Sequence, residues 1–137
     1  MNDIKKIIYL SHNYGGKESN KKHIGAVIKS LVKRYPDYTF LSPVHALGFL
    51  YDYISYEDGM RHCLALLDMC DECWSVDGYN DSKGCVIEQS YCADHRIPTV
   101  LIRDCAKCEY NDKIRCDVDY CIIPECVKKK KAEINQP

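Results

Sequence analysis

The first hundred residues alternate short apolar runs with stretches in which apolar side chains recur every three or four positions. The run 4–10 predicts a buried β-strand that stops at a polar segment containing two adjacent glycines. A helix is predicted next, because Ile24, Val27 and Leu31 recur at helical spacing. Such alternation of strands and helices predicts an α/β fold, a small doubly wound sheet of the flavodoxin or Rossmann type that is mostly parallel. The remaining strands are predicted at 38–41, 73–76 and 98–102, and the remaining helices at 56–70 and 84–95.

Polar loops follow the first three predicted strands. In doubly wound sheets, ligands bind beyond the carboxyl ends of the strands, where such loops meet. These loops are Ser11–Gly16, Ser42–His45 and Asp77–Gly84. We therefore expect them to line one pocket. The second loop is predicted to continue as an irregular segment rich in aromatic side chains: Phe49, Tyr51, Tyr53, Tyr56.

The chain changes character near residue 104. The segment 104–137 has too few apolar residues to form a core of its own, so we predict a domain at 1–103 and a cysteine-rich appendage at 104–137. Two pairs, Cys105-x2-Cys108 and Cys121-x4-Cys126, have the layout of two chelating knuckles and predict a structural zinc site. Free or oxidisable thiols and an iron–sulfur cluster are the alternatives, and Cys116 could replace one ligand.

Composition narrows the class of protein. The 137 residues carry 19 Lys and Arg against 20 Asp and Glu, for a formal charge of −1, so a nucleic-acid partner is not favoured. No apolar run approaches the roughly 20 residues that span a bilayer, and the start of the chain lacks a signal-peptide core. We therefore expect a cytoplasmic protein with no membrane partner, whose ten cysteines are thiols or metal ligands. The basic run Lys128–Lys131 lies in a polar end.

One short segment carries the most suggestive chemistry. Ser82 lies where a helix cap is expected, and Gly84 and Glu88 are spaced so that they share one face of the following helix. The missing side chain at Gly84 would leave space for a ligand to reach the Glu88 carboxylate, and the free amides of the first turn can bind polar groups. The plain alternative is a capping serine and a solvated glutamate.

These residues are part of a longer resemblance. Over residues 4 to 103 the chain resembles the nucleoside 2-deoxyribosyltransferase-like superfamily, and within it a small branch of bacterial and phage proteins. The motifs that carry the resemblance occur in the expected order: Ile8–Ser11, Ser42–His45, Leu67–Trp74, Ser82-x-Gly84-x3-Glu88, Ile97-Pro98.

The resemblance implies cleavage of an N-glycosidic bond by a carboxylate nucleophile. Glu88 matches the nucleophile of the family, and Tyr9 matches a first-strand tyrosine that orients it. Attack on the anomeric carbon would pass through an oxocarbenium-like state to a glycosyl ester, which water or a second base resolves. The loop after the first strand matches the place where nucleotide-using members hold a 5′-phosphate; its residues are Ser11, Tyr14, Gly15, Gly16 and Lys17. For the two glycines a plain tight turn is the alternative.

Two further features are compatible with a substrate pocket. His45 follows the second strand and would contact base or sugar, although a lone loop histidine is more often solvated. The aromatic stretch that contains Tyr51 and Tyr53 would stack on a base, or else form a contact between copies in a homo-oligomer.

The chain departs from the family at one position. Active members carry an aspartate eight residues before the Asp that ends the second predicted helix, and counting back from Asp71 gives Cys63. Asp58, Glu57 or His62 could take the role of that aspartate from nearby positions, but Glu57 and Asp58 lie more than a turn away, and His62 lies about 100° round the helix. The sequence thus predicts a small-molecule nucleoside or nucleotide partner, with glycosidic hydrolysis preferred over transfer. A non-catalytic nucleotide-binding or sensing protein is the alternative, followed by an interaction protein that uses its tail.

Overall fold

The computed structural model describes residues 3–76, 82–104 and 120–123. The chain begins with strand β1 (Lys6–Ser11), helix α1 (Glu18–Arg34), strand β2 (Tyr38–Leu41) and helix α2 (Pro43–Leu47), which a 3-10 turn (Gly48–Leu50) follows. It continues with α3 (Tyr56–Asp68), β3 (Glu72–Val76), α4 (Lys83–His95), β4 (Thr99–Asp104) and β5 (Tyr120–Ile123). All the strands and helices predicted from the pattern of residues 4–103 are present, with their ends shifted by a few residues.

The strands form one sheet in the order β2-β1-β3-β4-β5. The first four strands are parallel and β5 runs antiparallel to β4. This is the doubly wound, flavodoxin-like arrangement that the sequence predicts. Because the chain leaves β1 toward β2 on one side and returns to β3 on the other, the β1/β3 junction is the switch point at which such folds bind ligands.

Alternation along β1 and β3 separates two apolar layers. Ile8, Leu10 and Trp74 face α1, where they pack with the buried helix positions Ile24, Val27 and Leu31. Tyr9 and Cys73, which are strand neighbours of these residues, face the opposite layer and pack with Leu67 of α3 and Cys92 of α4. Successive side chains of a strand point to opposite faces. Because the apolar residues of β1 face α1, the polar residues that alternate with them face α4.

The segment after β2 differs from the irregular loop predicted for it. Ser42 caps a short helix by accepting a hydrogen bond from the His45 backbone N–H at 3.2 Å, and Pro43 occupies the first helical turn. A serine cap followed by proline is a favourable helix start, but five helical residues are too few for a hydrophobic period to show in the sequence. The aromatic residues therefore lie on a compact turn and at the start of α3.

Part of the cysteine-rich segment belongs to the sheet. Tyr120–Ile123 pairs with β4, and Cys121 lies opposite Arg103. Cys105, Cys108, Cys116, Cys126 and the basic run 128–131 lie outside the described residues. Within the ranges that the structure describes, no three His, Cys, Asp or Glu side chains are grouped so as to hold a metal ion. The zinc site thus stays a prediction.

None of the helices in ranges 3–76 and 82–104 combines the length and apolar character needed to cross a bilayer. Five cysteines of these ranges, Cys63, Cys70, Cys73, Cys85 and Cys92, are free thiols.

Candidate functional site

A cavity of about 460 Å³ opens at the carboxyl ends of β1, β2 and β3. Its volume falls in the range of small-molecule sites. The loop after β1, the α2 segment and the start of α4 all contribute to it, as expected from the topology. The side chains of α3 form a further wall. The lining residues with polar or aromatic groups include His12, Asn13, Tyr14, Tyr51, Tyr56, His62, Cys63, Ser82, Lys83 and Glu88.

Glu88 lies at the base of this cavity and is only 5% exposed. The Tyr9 hydroxyl donates a hydrogen bond to Oε2 of its carboxylate, and the Ser11 hydroxyl donates to Oε1 at 2.9 Å. Tyr9 and Ser11 are two apart on β1, so both side chains face α4 while Ile8 and Leu10 face the opposite layer. Two donors on one strand thus hold the two oxygens of one carboxylate.

Burial controls the ionisation of this group. It raises the pKa of Glu88 to about 7, and the hydrogen bonds from Tyr9 and Ser11 oppose that rise. Burial, followed by the charge of Glu88, also raises the pKa of Tyr9 well above its usual value. Near neutral pH the tyrosine is therefore a neutral donor, and Glu88 is present in both protonation states.

Cys63 lies on the cavity wall where the resemblance places an aspartate in active members. Burial, followed by the negative charge of Glu88, raises the pKa of its thiol to about 11. A hydrogen bond with Tyr9 acts in the opposite direction and lowers this pKa in part. The thiol is consequently protonated at neutral pH and extends the polar chain from Glu88 through Tyr9. It neither carries a charge nor readily gives up its proton.

The start of α4 matches the predicted cap. Ser82 accepts a hydrogen bond from the Cys85 backbone N–H at 3.3 Å. A methyl group at Gly84 would lie 3.4 Å from the Tyr56 hydroxyl oxygen and 3.5 Å from the Met60 sulfur, which is ordinary van der Waals contact. Packing alone therefore permits alanine at position 84, and the glycine leaves that volume to the cavity.

The structure brings together some of the predicted site residues and not others. Five of the predicted catalytic and substrate-binding residues line the cavity: Tyr14, Gly15, Ser82, Gly84, Glu88. Two more, Tyr9 and Ser11, are not on the lining but contact the Glu88 carboxylate. The remaining predicted substrate-binding residues are absent from the lining: Gly16, Lys17, His45.

The positions of these three have local causes. Gly16 has a φ of +73° and lies beneath the Tyr51 ring, and Lys17 is the residue before α1. The Nδ1 atom of His45 lies 2.7 Å from the Ser42 hydroxyl oxygen, and its Nε2 faces Gly25 of α1. These contacts engage the His45 ring within its own helix start and against α1.

An aromatic wall completes the cavity, and only part of it was identified from the sequence. The rings of Tyr14 and Tyr51 meet edge to face, with centroids 5.2 Å apart. Phe49 and Tyr53, from the same aromatic stretch, are 80% and 83% exposed and do not line the cavity. A hydrophobic period in the sequence could not distinguish the cavity residue Tyr51 from the exposed Phe49 and Tyr53, because the segment turns irregularly after α2.

Two histidines on the lining were not assigned to the site from the sequence. His12 follows Ser11 directly, so its place in the strand-end loop was the available signal. The sequence places His62 about 100° round the helix from Cys63. The cavity face of α3 is instead broad enough to include both residues.

Comparisons with known proteins agree with this fold. A solved structure of a 2-deoxyribosyltransferase from Bacillus psychrosaccharolyticus is 22% identical, with a TM-score of 0.54, over 69% of this chain and 70% of that one. The predicted resemblance is thereby confirmed at the level of the fold. No curated protein matches the chain. The family described as a domain of unknown function, DUF4406, matches residues 6–101, and since this is most of the sequence, the chain belongs to the DUF4406 family.

Proposed function

We propose that this protein cleaves the N-glycosidic bond of a nucleoside or nucleotide with Glu88 as the nucleophile. The observation that carries the proposal is a carboxylate at the base of a cavity, with each oxygen held by a separate hydroxyl donor. Such a group is positioned, partly desolvated and accessible to a ligand. The similar solved structure supports the proposal, since it is a 2-deoxyribosyltransferase described as a biocatalyst for the synthesis of nucleosides.

The reaction would proceed in two displacements. Ionised Glu88 attacks the anomeric carbon, the bond from that carbon to the base nitrogen breaks, and its electron pair leaves with the base. Water then attacks the glycosyl ester: its oxygen bonds to the anomeric carbon, the bond from that carbon to Glu88 breaks, and the carboxylate is restored. The proton that the water loses balances the proton that the released base gains. Tyr9 and Ser11 hold the carboxylate oxygens in place and are positioning residues. Because only the ionised carboxylate is nucleophilic, the fraction of Glu88 that can attack should rise as pH increases through about 7.

Hydrolysis is proposed in preference to transfer. Tyr51, Tyr56 and His62 line the cavity and are exposed to solvent, so the cavity is open to water. A transferase must instead hold a second base until it attacks, and no observation on the described lining favours a second base over water.

A non-catalytic nucleotide-binding or sensing protein is the second candidate. The observation that favours it is Cys63, whose protonated thiol occupies the cavity wall where a carboxyl group is expected in active members. A protein of this kind would keep the aromatic wall and bind its ligand without releasing the base.

A product assay separates these two candidates. We expect the protein to release free base, detected by chromatography, from at least one member of a panel of nucleosides, nucleoside monophosphates and NAD. Ligands that raise the melting temperature without release of any base would contradict the enzymatic proposal and support the binding one. The blank is the Glu88→Gln variant, which controls for base released by contaminating enzymes.

The Gly84→Ala variant should reduce the volume of the cavity without reducing the stability of the fold. The new methyl group fills space beside Tyr56 and Met60 without a clash, so we expect unchanged or slightly higher stability and about tenfold weaker substrate binding. The measurements are thermal unfolding and KM for the substrate found above. Gly25→Ala is the matched control, because it makes the same exchange in α1, outside the cavity lining. Unchanged KM in Gly84→Ala would show that the ligand does not occupy this space.

A further inference from the structure

The proposed reaction raises the question of where the leaving base obtains its proton. A purine or pyrimidine that departs as an anion is a poor leaving group, and proton transfer from a positioned side chain removes that barrier. The cavity contains several groups that carry protons, and their contacts distinguish them. This inference rests on the proposed function.

Three of these groups are poorly suited to the task. Cys63 holds its proton too tightly, since its pKa is about 11. Burial, followed by the charge of Glu88, also raises the pKa of the Tyr56 hydroxyl, which makes it a weaker acid. The ammonium group of Lys83 is engaged in a cation–π contact with the Tyr56 ring, 5.1 Å from its centroid.

His12 is suited by chemistry but is engaged on both nitrogens. Its Nδ1 lies 2.7 Å from the Asn13 carbonyl oxygen, and a carbonyl only accepts, so this nitrogen carries the hydrogen and donates it. Its Nε2 lies 2.7 Å from Nδ1 of His23. Neither nitrogen can approach a substrate without breaking an existing hydrogen bond.

His62 differs from all of these groups. It lines the cavity and is exposed, so it can exchange protons with solvent between turnovers. Within the described part of the chain, its imidazole takes part in no hydrogen bond or ion pair, and both nitrogens can turn toward a ligand. The carboxylates considered beside it are unsuitable. Asp58 is bound to Arg61 at 2.9 Å, and neither Asp58 nor Glu57 lines the cavity.

The local geometry of α3 leaves room for a ligand beside this imidazole. Gly59 lies one turn before His62 on the cavity face, and a methyl group added there would meet no atom within 4 Å. Helical side chains tilt toward the amino terminus, so the imidazole extends over the open turn at Gly59. Cys63, the next residue, contacts Tyr9, which in turn holds Glu88. A ligand whose sugar meets Glu88 would therefore extend its base along α3.

We propose that His62 is the general acid that protonates the leaving base. As the glycosidic bond breaks and its electron pair passes to the base nitrogen, the imidazolium transfers its proton to the base and becomes neutral. In the second displacement the neutral imidazole accepts a proton from the attacking water, whose oxygen bonds to the anomeric carbon. The cycle restores both side chains and consumes one water molecule.

The test compares two leaving groups in the His62→Gln variant. We expect kcat/KM for the nucleoside identified by the product assay to fall by about 10²-fold, since kcat/KM reports the first displacement and the base needs a proton to leave. With the 4-nitrophenyl glycoside of the same sugar, whose leaving group departs as a stable anion, the loss of kcat/KM should be under about threefold. A merely structural role would lower both rates equally. His95→Gln is the matched control, because His95 lies at the exposed end of α4 against Tyr91, outside the cavity lining.

Other outcomes have distinct meanings. Equal losses on both substrates, or no loss on either, would overturn the assignment of His62 while the proposed function stands. A wild-type protein that releases neither base nor nitrophenolate would overturn the proposed function, and the assignment with it.

Discussion

The Glu88→Gln variant should lose base release and gain stability in alkaline solution. The amide cannot act as a nucleophile, so we expect kcat to fall by about 10³-fold or more. The amide nevertheless matches the carboxylate in shape, and its oxygen can accept from Tyr9 while its NH2 donates to Ser11, whose hydroxyl can reverse its role. The measurement is base release by the purified variant under conditions that saturate the wild type.

The gain in stability follows from the ionisation of Glu88. Its pKa rises from 4.5 to about 7 in the folded protein, so the folded state binds the proton more tightly than the unfolded chain. The resulting stability is complete below about pH 4.5 and is lost as pH rises through about 7, with a total of about 3 kcal/mol. Glutamine cannot ionise, so the variant should match the wild type near pH 4 and exceed its free energy of unfolding near pH 9.

Urea unfolding at these two pH values measures the effect. Glu57→Gln is a suitable control, because it makes the same exchange at an exposed position in the first turn of α3. An equal change of stability at both pH values would argue against burial as the cause of the raised pKa. Residual activity near the wild-type level would exclude Glu88 as the nucleophile.

The Gly16→Ala variant should damage both the fold and the cavity wall. Its φ of +73° is in the left-handed region, and a Cβ there would lie 2.7 Å from a ring carbon of Tyr51. The backbone strain and the displaced ring together should reduce the free energy of unfolding by about 2–3 kcal/mol. Because Tyr51 packs against Tyr14 in the wall, KM should also rise by about tenfold.

Gly15→Ala provides the matched comparison for stability. Gly15 has a similar φ of +58°, but a Cβ there would meet no atom within 4 Å. This variant should therefore show the backbone strain alone, about 1–2 kcal/mol. Equal losses of stability in the two variants, measured by urea unfolding, would show that the contact between Gly16 and Tyr51 contributes nothing to the fold.

The elements of the first 103 residues could be predicted because their signals are local. Apolar residues that recur at helical spacing predicted α1, and the run 4–10 predicted β1. Ser82 was identified as a helix cap from the residues next to it, and it accepts the expected hydrogen bond from Cys85. Capping and periodicity act within a turn or two, so the neighbouring residues contain the information.

Two elements could not be predicted in this way. Helix α2 is too short to show a period, and its start depends on one serine and one proline. Strand β5 is stabilised by pairing with β4, which is distant from it in the sequence, so its own residues contain no signal for the strand. The pairing also supplies a physical reason for order at 120–123 that does not depend on a metal.

The sequence by itself determined most of the strands and helices of the first 103 residues, and it singled out Glu88 and its helix start. The family resemblance pairs Tyr9 with that carboxylate, and the tertiary structure adds Ser11 as a second donor to it. Tyr9 and Ser11 are 79 and 77 residues away from Glu88 along the chain. Their meeting depends on the order of the strands, on the face of β1 that the apolar residues leave to them, and on the packing of α4. The same long-range packing turned His62 toward the cavity and His45 toward α1, because side-chain neighbours across the sheet are determined by topology and not by local spacing.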